Sequence, residues 1–174
     1  MTTTRRARQR WSAGGAAILT VVLLAAGCGA FEPSPSPEEE RTAAAEAATR
    51  AYKRYWGVLI QAQNSGDLPE DAFDGIAAGS HVEYFAQRIS DYRTQAIVRE
   101  GEPELTAYEV DLVSETQAVV TACLDERAWM FRAGDRLFEP PQPSPRPVGA
   151  KVMRRGGPWM VIDTLPSPEI DKEC

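Results

Sequence analysis

The feature that most constrains the fold is a change of hydrophobic periodicity near residue 96. Before that point apolar residues recur at spacings of three and four, the pattern of amphipathic helices. After it they alternate with polar residues or form short valine-rich runs, which is typical of strands. Because the helices precede the strands instead of alternating with them, the order predicts an α+β fold, with N-terminal helices packed on a curved antiparallel sheet.

A long first helix has start and stop signals of its own. Ser36 can cap it, Pro37 suits the first helical position, and Glu39 completes a capping box. Asn64-Ser65-Gly66 supplies the stop signal. Between them the apolar positions are Ala44, Ala48, Ala51, Tyr55, Val58 and Ala62, with Tyr52, Trp56 and Leu59 beside them. We predict one amphipathic helix over residues 38–63.

Two shorter helices and six strands complete the prediction. One helix, over residues 68–78, should begin near Pro69. Another should run from Ser80, with a second capping box to Glu83, to about Gln95. The predicted strands cover residues 97–99, 105–113, 117–124, 129–132, 148–154 and 159–165. Residues 139–147 (EPPQPSPRP) are predicted to lie outside the sheet, since proline cannot donate a ladder hydrogen bond.

The N-terminus has the layout of an export signal. Four arginines, at positions 5, 6, 8 and 10, precede an uncharged apolar run over residues 13–26. That run is short of the roughly 20 residues that a permanent membrane-spanning helix needs. We therefore expect the segment to direct export and to be removed.

The end of this run, Leu24-Ala25-Ala26-Gly27-Cys28, resembles the lipobox of bacterial lipoprotein signal peptides. The resemblance implies that residues 1–27 are the signal peptide and that Cys28 becomes the N-terminus and carries a diacylglyceryl group. It also implies a location at the cell membrane, lipid-anchored on the extracytoplasmic side. An ordinary secretory peptide cleaved near Ala26, which leaves Cys28 as a free thiol, is the alternative.

The net charge of the mature chain limits the classes of partner that it can bind. Residues 1–27 contain four of the 19 basic residues and none of the 25 acidic ones, so 15 basic residues face 25 acidic ones and the net charge is −10. Such a charge argues against nucleic acid as a partner, because no basic field offsets phosphate repulsion. It also argues against an electrostatic contact with anionic lipid.

Residues 28–37 are predicted to be a proline-rich linker. Pro33, Pro35 and Pro37 alternate with polar residues, which favours an extended polyproline II stalk. Eight residues in that conformation span roughly 25 Å. Residues 38–174 then suit a single domain.

The number of cysteines is consistent with export. If Cys28 carries lipid, Cys123 and Cys174 remain as a pair. Outside the cytoplasm such a pair is expected to oxidise, and a bridge would pin the C-terminus onto a predicted strand. Two unrelated cysteines are the alternative.

Three stretches resemble the nuclear-transport-factor-2-like cone, which includes SnoaL-like domains. They are residues 51–56 (AYKRYW), 118–125 (AVVTACLD) and 156–161 (GGPWMV). Small actinobacterial lipoproteins with this pattern and a terminal cysteine are similar across nearly the whole mature chain. The resemblance implies a cone-like sheet with a pocket, but no particular activity, because such scaffolds host enzymes, binders and dimerisation modules. The proline-rich stretch 140–147 departs from the family pattern.

The possible pocket residues are aromatic side chains and two strand-end carboxylates. They are Tyr52, Tyr55, Trp56, Asp125, Trp129, Trp159 and Asp163. The aromatic residues would line an apolar pocket, or else they form the core. The two aspartates would act as an acid–base pair in a SnoaL-like enzyme, or else they are solvated.

Other chemistry has little support in the sequence. His81, the only histidine, suits a general base or a solvated helix end. Four-ligand zinc sites are not expected with one histidine and two cysteines expected to be oxidised. We find no phosphate-binding glycine loop and no serine-nucleophile elbow. The Arg154-Arg155 pair precedes a predicted turn and should be solvated.

These observations predict a binding or scaffolding module of the cell envelope, without catalysis or a cofactor. We expect a membrane connection through Cys28 and an envelope protein as partner. A binder of a small apolar ligand and a SnoaL-like enzyme that uses a pocket carboxylate are the alternatives.

Overall fold

The computed structural model describes residues 34–142 and 145–174, of which residues 35–174 form one compact unit. The predicted signal peptide, Cys28 and most of the linker lie outside the described residues. Neither of the helices in the described part is long and apolar enough to span a membrane.

The described residues have the predicted α+β fold, with two helices, but their strands form two antiparallel sheets instead of the single curved sheet that was predicted. The helices are α1 (Pro37–Ser65) and α2 (Ser80–Thr94). The strands are β1 (Ile97–Glu100), β2 (Glu104–Ser114), β3 (Gln117–Asp125), β4 (Met130–Ala133), β5 (Arg136–Phe138), β6 (Arg146–Arg154) and β7 (Trp159–Leu165), and a 3-10 turn spans Ser167–Glu169. The main sheet has the order β2-β3-β6-β7, and the small sheet has the order β1-β4-β5.

Helix α1 confirms the sequence prediction at both ends. The Ser36 hydroxyl accepts a hydrogen bond from the Glu39 amide, and the Glu39 carboxylate accepts one from the Ser36 amide. Gly66 ends the helix with φ 69° and donates its amide to the Ala62 carbonyl. That left-handed conformation costs a glycine little, which explains the stop.

The predicted helix over 68–78 is absent, and consecutive turns take its place. The end of this segment pairs with β7: the Ala78 amide donates to the Val161 carbonyl, and the Val161 amide donates to the Ile76 carbonyl. Backbone groups used in this way cannot also form an α-helical ladder, so tertiary pairing overrides helix propensity. The second capping box is also wrong, because Gly79 is the N-cap of α2 and makes no side-chain cap bond.

The six predicted strands are present, but the prediction missed β5 and needs one correction in the proline-rich segment. Strand β6 already begins at Arg146, and Pro147 pairs with Cys123 of β3. The pairing of β6 with β7 begins only at Gly149. Around Pro147 one edge of β6 therefore has no neighbouring strand, and a residue without an amide hydrogen is tolerated there.

The two faces of the main sheet differ in what covers them. On β3 the fully buried side chains alternate, at Ala118, Val120, Ala122 and Leu124. They belong to the same core as the buried face of α1, and we call this side the inner face. Since strand side chains alternate between faces, Val119, Thr121 and Cys123 project from the outer face.

Candidate functional site

Aromatic side chains fill the space between α1 and the inner face. Tyr52 and Tyr55 are 1% and 4% exposed, and their ring centroids lie 6.5 Å apart. Ring contacts continue from Tyr52 to Trp56 and Tyr108, and from Tyr55 to Phe73. Burial raises the pKa of both tyrosines, so their hydroxyl groups stay protonated. Tyr52 and Tyr55 are therefore core residues, with the half-buried Trp56 packed against them, and the interpretation of this group as pocket lining is wrong.

Trp129 is also buried, but in a separate cluster that joins the two sheets. The Arg99 guanidinium lies 3.5 Å from the Trp129 ring centroid and donates to the Trp129 carbonyl. Arg99 also pairs with Glu126, at 2.7 Å, and Arg146 of β6 reaches the same carboxylate at 2.8 Å. Arg99 and Glu126 are only 4% and 5% exposed. The cluster neutralises charge that would otherwise be costly to bury.

The two candidate aspartates do not form an acid–base pair. Asp163 pairs in register with Lys151, which pairs with Val119, whereas Asp125 lies at the far end of the same strand β3. Six residues of strand separate the two positions by roughly 20 Å. Asp125 forms an ion pair with Arg127, and Asp163 forms one with Lys151 at 3.3 Å.

His81 is not a solvated helix end. Both ring nitrogens are buried without a hydrogen-bond partner, and the ring contacts Tyr55 edge to face at 5.7 Å. Burial lowers the pKa of His81, and the nearby charge of Asp163 opposes that shift. At neutral pH the ring is uncharged and acts as a packing element.

A cleft of about 790 Å³ lies beside the first turns of α1. Its partly or fully buried members are apolar: Ala44 and Ala47 of α1, Leu112 of β2 and Trp159 of β7. Its exposed members include four charged residues, Glu40, Arg41, Glu115 and Arg154. The cleft thus has an apolar floor and a rim with both signs of charge, which suits an apolar group flanked by polar ones.

Contacts of Arg154 and Arg54 connect the elements around this cleft. Arg154 lies 5.7 Å from the Trp159 ring centroid and donates to the Glu115 carbonyl at 3.2 Å. Arg54 of α1 donates to the Trp159 carbonyl at 3.2 Å. Arg154 and Arg155 are both exposed, as predicted, and the Arg154 guanidinium borders the cleft.

Sequence reasoning identified Trp159 but missed most of the cleft. Of the predicted pocket residues, Trp159 alone lines it. The available signal was the run of small residues Ala43, Ala44 and Ala47 near the start of α1, where the helix leaves space. No local pattern could indicate that the β2–β3 turn lies opposite this run.

The side chains of Cys123 and Cys174 meet at disulfide bonding distance. Their Cα atoms are 5.6 Å apart, and the pair links β3 to the last residue of the chain. The described residues contain no group of three or more histidine, cysteine, aspartate or glutamate side chains that could hold a metal ion.

Comparisons with known proteins leave the family open. No family model and no curated protein matches the chain. Among solved structures the chain is similar to the crystal structure of the intermembrane-space region of the chloroplast protein ARC6, at 14% identity and a TM-score of 0.45. That similarity covers 70% of this chain and 94% of the other.

Proposed function

We propose that this protein is a binding or scaffolding module of the cell envelope, lipid-anchored through Cys28 on the extracytoplasmic side. The observation that carries the proposal is the cleft beside α1, which combines an apolar floor with a charged rim. The aromatic interior supports it, since Tyr52 and Tyr55 are buried core residues and not pocket lining. The cleft presents its surface to an envelope protein.

Photo-crosslinking in intact cells tests this proposal. A photoreactive amino acid at Val113, a cleft residue that is 60% exposed, should crosslink to one discrete partner. The same group at Tyr84 of α2, which is 69% exposed and not part of the cleft lining, is the matched control. Equal products from both positions, or none from Val113, would contradict the proposal.

A blocking substitution connects the crosslink to the cleft. Ala43 lines the cleft from an exposed position, so Ala43→Trp should fill it without disturbing the core. Thr42→Trp adds the same bulk one residue earlier, at an exposed position that does not line the cleft. The crosslink from Val113 should disappear in the first variant and persist in the second.

A small apolar ligand is the second candidate occupant, and the floor of Ala44, Ala47, Leu112 and Trp159 favours it. Native mass spectrometry of the exported protein distinguishes the two. A retained small-molecule adduct that is absent from Ala43→Trp would support the ligand, whereas an unliganded mass together with the Val113 crosslink supports the protein partner.

The anchor has its own test. The intact mass of the mature protein should place a diacylglyceryl group on Cys28, because the residues before it resemble a lipobox. A mature chain that begins at another residue and carries no lipid would contradict the proposed anchor. The proposed binding role of the cleft would not be affected.

A further inference from the structure

Residues 166–174, which we call the strap, follow β7 and cross the outer face of the main sheet. Three contacts hold the strap there. Ile170 is 8% exposed, the Lys172 ammonium lies 2.6 Å from the Glu109 carboxylate, and Cys174 meets Cys123. Glu109 pairs in register with Thr121, which shares the outer face with Cys123. The strap is therefore attached to the side of the sheet that faces away from α1.

The strap and the core are packed independently. The continuous buried core includes Ala118, Val120, Ala122 and Leu124 of β3, but neither Ile170 nor Cys123 belongs to it. Release of the strap would therefore expose the outer face without opening the contacts of the inner face. Segments with few buried apolar contacts are the ones that open locally while the rest of a domain stays folded.

Apart from the disulfide, the strap is held by Ile170, by the side chain of Lys172, which is 5% exposed, and by the ion pair of Lys172 with Glu109. The Glu109 side chain is 70% exposed, and an ion pair with a solvated partner contributes little to stability. Ile170 is the only apolar strap residue that is buried. The covalent link is therefore the contact on which closure of the strap depends.

The two sulfur-bearing residues differ in access. Cys123 is 7% exposed, and its sulfur lies 3.8 Å from the Glu173 carbonyl oxygen, beneath the strap. Cys174, the last residue, is exposed. Since an attacking thiolate must approach one sulfur directly, we assign the attack to the sulfur of the exposed residue, Cys174.

We propose that the Cys123–Cys174 disulfide is an exchange site for a dithiol reductant, and that its opening releases the strap while the domain stays folded. The first thiolate of the dithiol attacks the Cys174 sulfur and forms a mixed disulfide. The Cys123–Cys174 bond breaks, and its electron pair leaves on the Cys123 sulfur, which takes a proton from water. The second thiol of the reductant then loses its proton and attacks the reductant sulfur of the mixed disulfide. The bond to Cys174 breaks, and its electron pair leaves on the Cys174 sulfur, which takes up a proton. The dithiol is oxidised by two electrons and the protein disulfide is reduced by two.

Hydrogen exchange of the full-length chain, with and without dithiothreitol and without denaturant, tests the release. Amide exchange in residues 166–174 should become faster by at least about tenfold, whereas α1 and the paired residues of β6 and β7 should keep their protection. Loss of protection throughout the chain would overturn the proposal, because the disulfide would then hold the whole domain. An unchanged strap after complete reduction would overturn it too, because other contacts would then suffice.

A matched variant separates the covalent link from the ion pair. Lys172→Met keeps the buried aliphatic stem of a side chain that is 5% exposed and removes its charge. With the disulfide intact, its strap should exchange as in the parent chain. Strap release in this oxidised variant would show that the ion pair is the latch and would overturn the proposal.

The site of attack is tested by trapping the mixed disulfide. Brief treatment with glutathione, followed by acid quench and peptide mapping, should place the adduct on Cys174. An adduct mainly on Cys123 would overturn the assigned direction of attack. A glutathione adduct on Cys28 would only show that this cysteine is a free thiol. The quantity compared is therefore the ratio of the adduct on Cys174 to the adduct on Cys123.

Discussion

The two faces of the main sheet are stabilised in different ways. The inner face contacts α1 through a continuous buried core in which Tyr52, Val120 and Val161 are at most 1% exposed. The outer face is crossed by nine residues that bury one isoleucine and end in one disulfide. The difference shows that one strand, β3, contributes to the continuous core on one side and holds the detachable strap on the other. It can do both because its side chains alternate between the two faces.

The largest effect should come from the inner face. Trp159→Ala removes a side chain that is 5% exposed and should lower the free energy of unfolding by about 3–5 kcal/mol. Tyr84→Ala, at an exposed position on α2, should change it by less than about 0.5 kcal/mol. Denaturant titration followed by circular dichroism measures both. Equal, small losses would mean that the inner face does not dominate stability.

The junction of the two sheets should be nearly as sensitive. Arg99→Met keeps much of the side-chain volume but leaves the Glu126 carboxylate, 5% exposed, without its closest cation. Removing one partner of a buried pair typically costs about 3–5 kcal/mol, and here Arg146 should reduce that loss. The exposed pair Arg50–Glu46 is the control, since Arg50→Met should cost less than about 1 kcal/mol. A loss in Arg99→Met as small as the control would contradict the structural role of the cluster.

The outer face should contribute less, and through the unfolded state. The double variant Cys123→Ser/Cys174→Ser removes a cross-link between positions 51 residues apart. It should lower the free energy of unfolding by about 2–4 kcal/mol, because the denatured chain regains conformational freedom. Non-reducing peptide mapping of the parent chain should show the Cys123–Cys174 link first. If both thiols are free in the exported protein, the strap has no covalent attachment to the outer face. The contrast between the two faces would then not involve a disulfide.

The smallest effect is a pH dependence centred on His81. Its folded-state pKa is lowered below the ordinary value of 6.5, so the unfolded chain takes up the proton first as pH falls. Stability should therefore be constant above about pH 6.5 and decrease below it, down to the folded-state pKa. Denaturant titrations between about pH 5 and 7 measure this slope. In His81→Gln the slope should vanish, and a slope that persists would assign it to other groups.

Local patterns predicted the elements of the fold well. The capping box of Ser36 and Glu39, the stop at Gly66 and the positions of six strands follow from short-range chemistry, whereas β5 was missed. The pairing of Cys123 with Cys174 could also be predicted, because three cysteines, one of them in the lipobox-like segment, leave few possible disulfide pairs. Where backbone pairing between distant segments decides the outcome, as between residues 76–78 and Val161, local propensity gave the wrong structure.

The candidate site was harder to predict than the fold. Tyr52 and Tyr55 look the same in sequence whether they line a pocket or fill a core. The separation of Asp125 from Asp163 depends on the register of three strands, and the cleft depends on which turn lies opposite Ala43 and Ala44. Such facts concern pairs of segments far apart in the chain, for which a single sequence contains no direct signal.

The sequence by itself determined the order of helices and strands, the ends of α1 and the acidic character of the chain, because these depend on neighbouring residues and on composition. The tertiary structure alone decided that Arg99 and Glu126 are buried together and that the aromatic side chains close the interior. It also decided that the strap lies on the outer face. The physical reason is that burial and charge pairing depend on distances in space, which are set only when strands distant in sequence find their register.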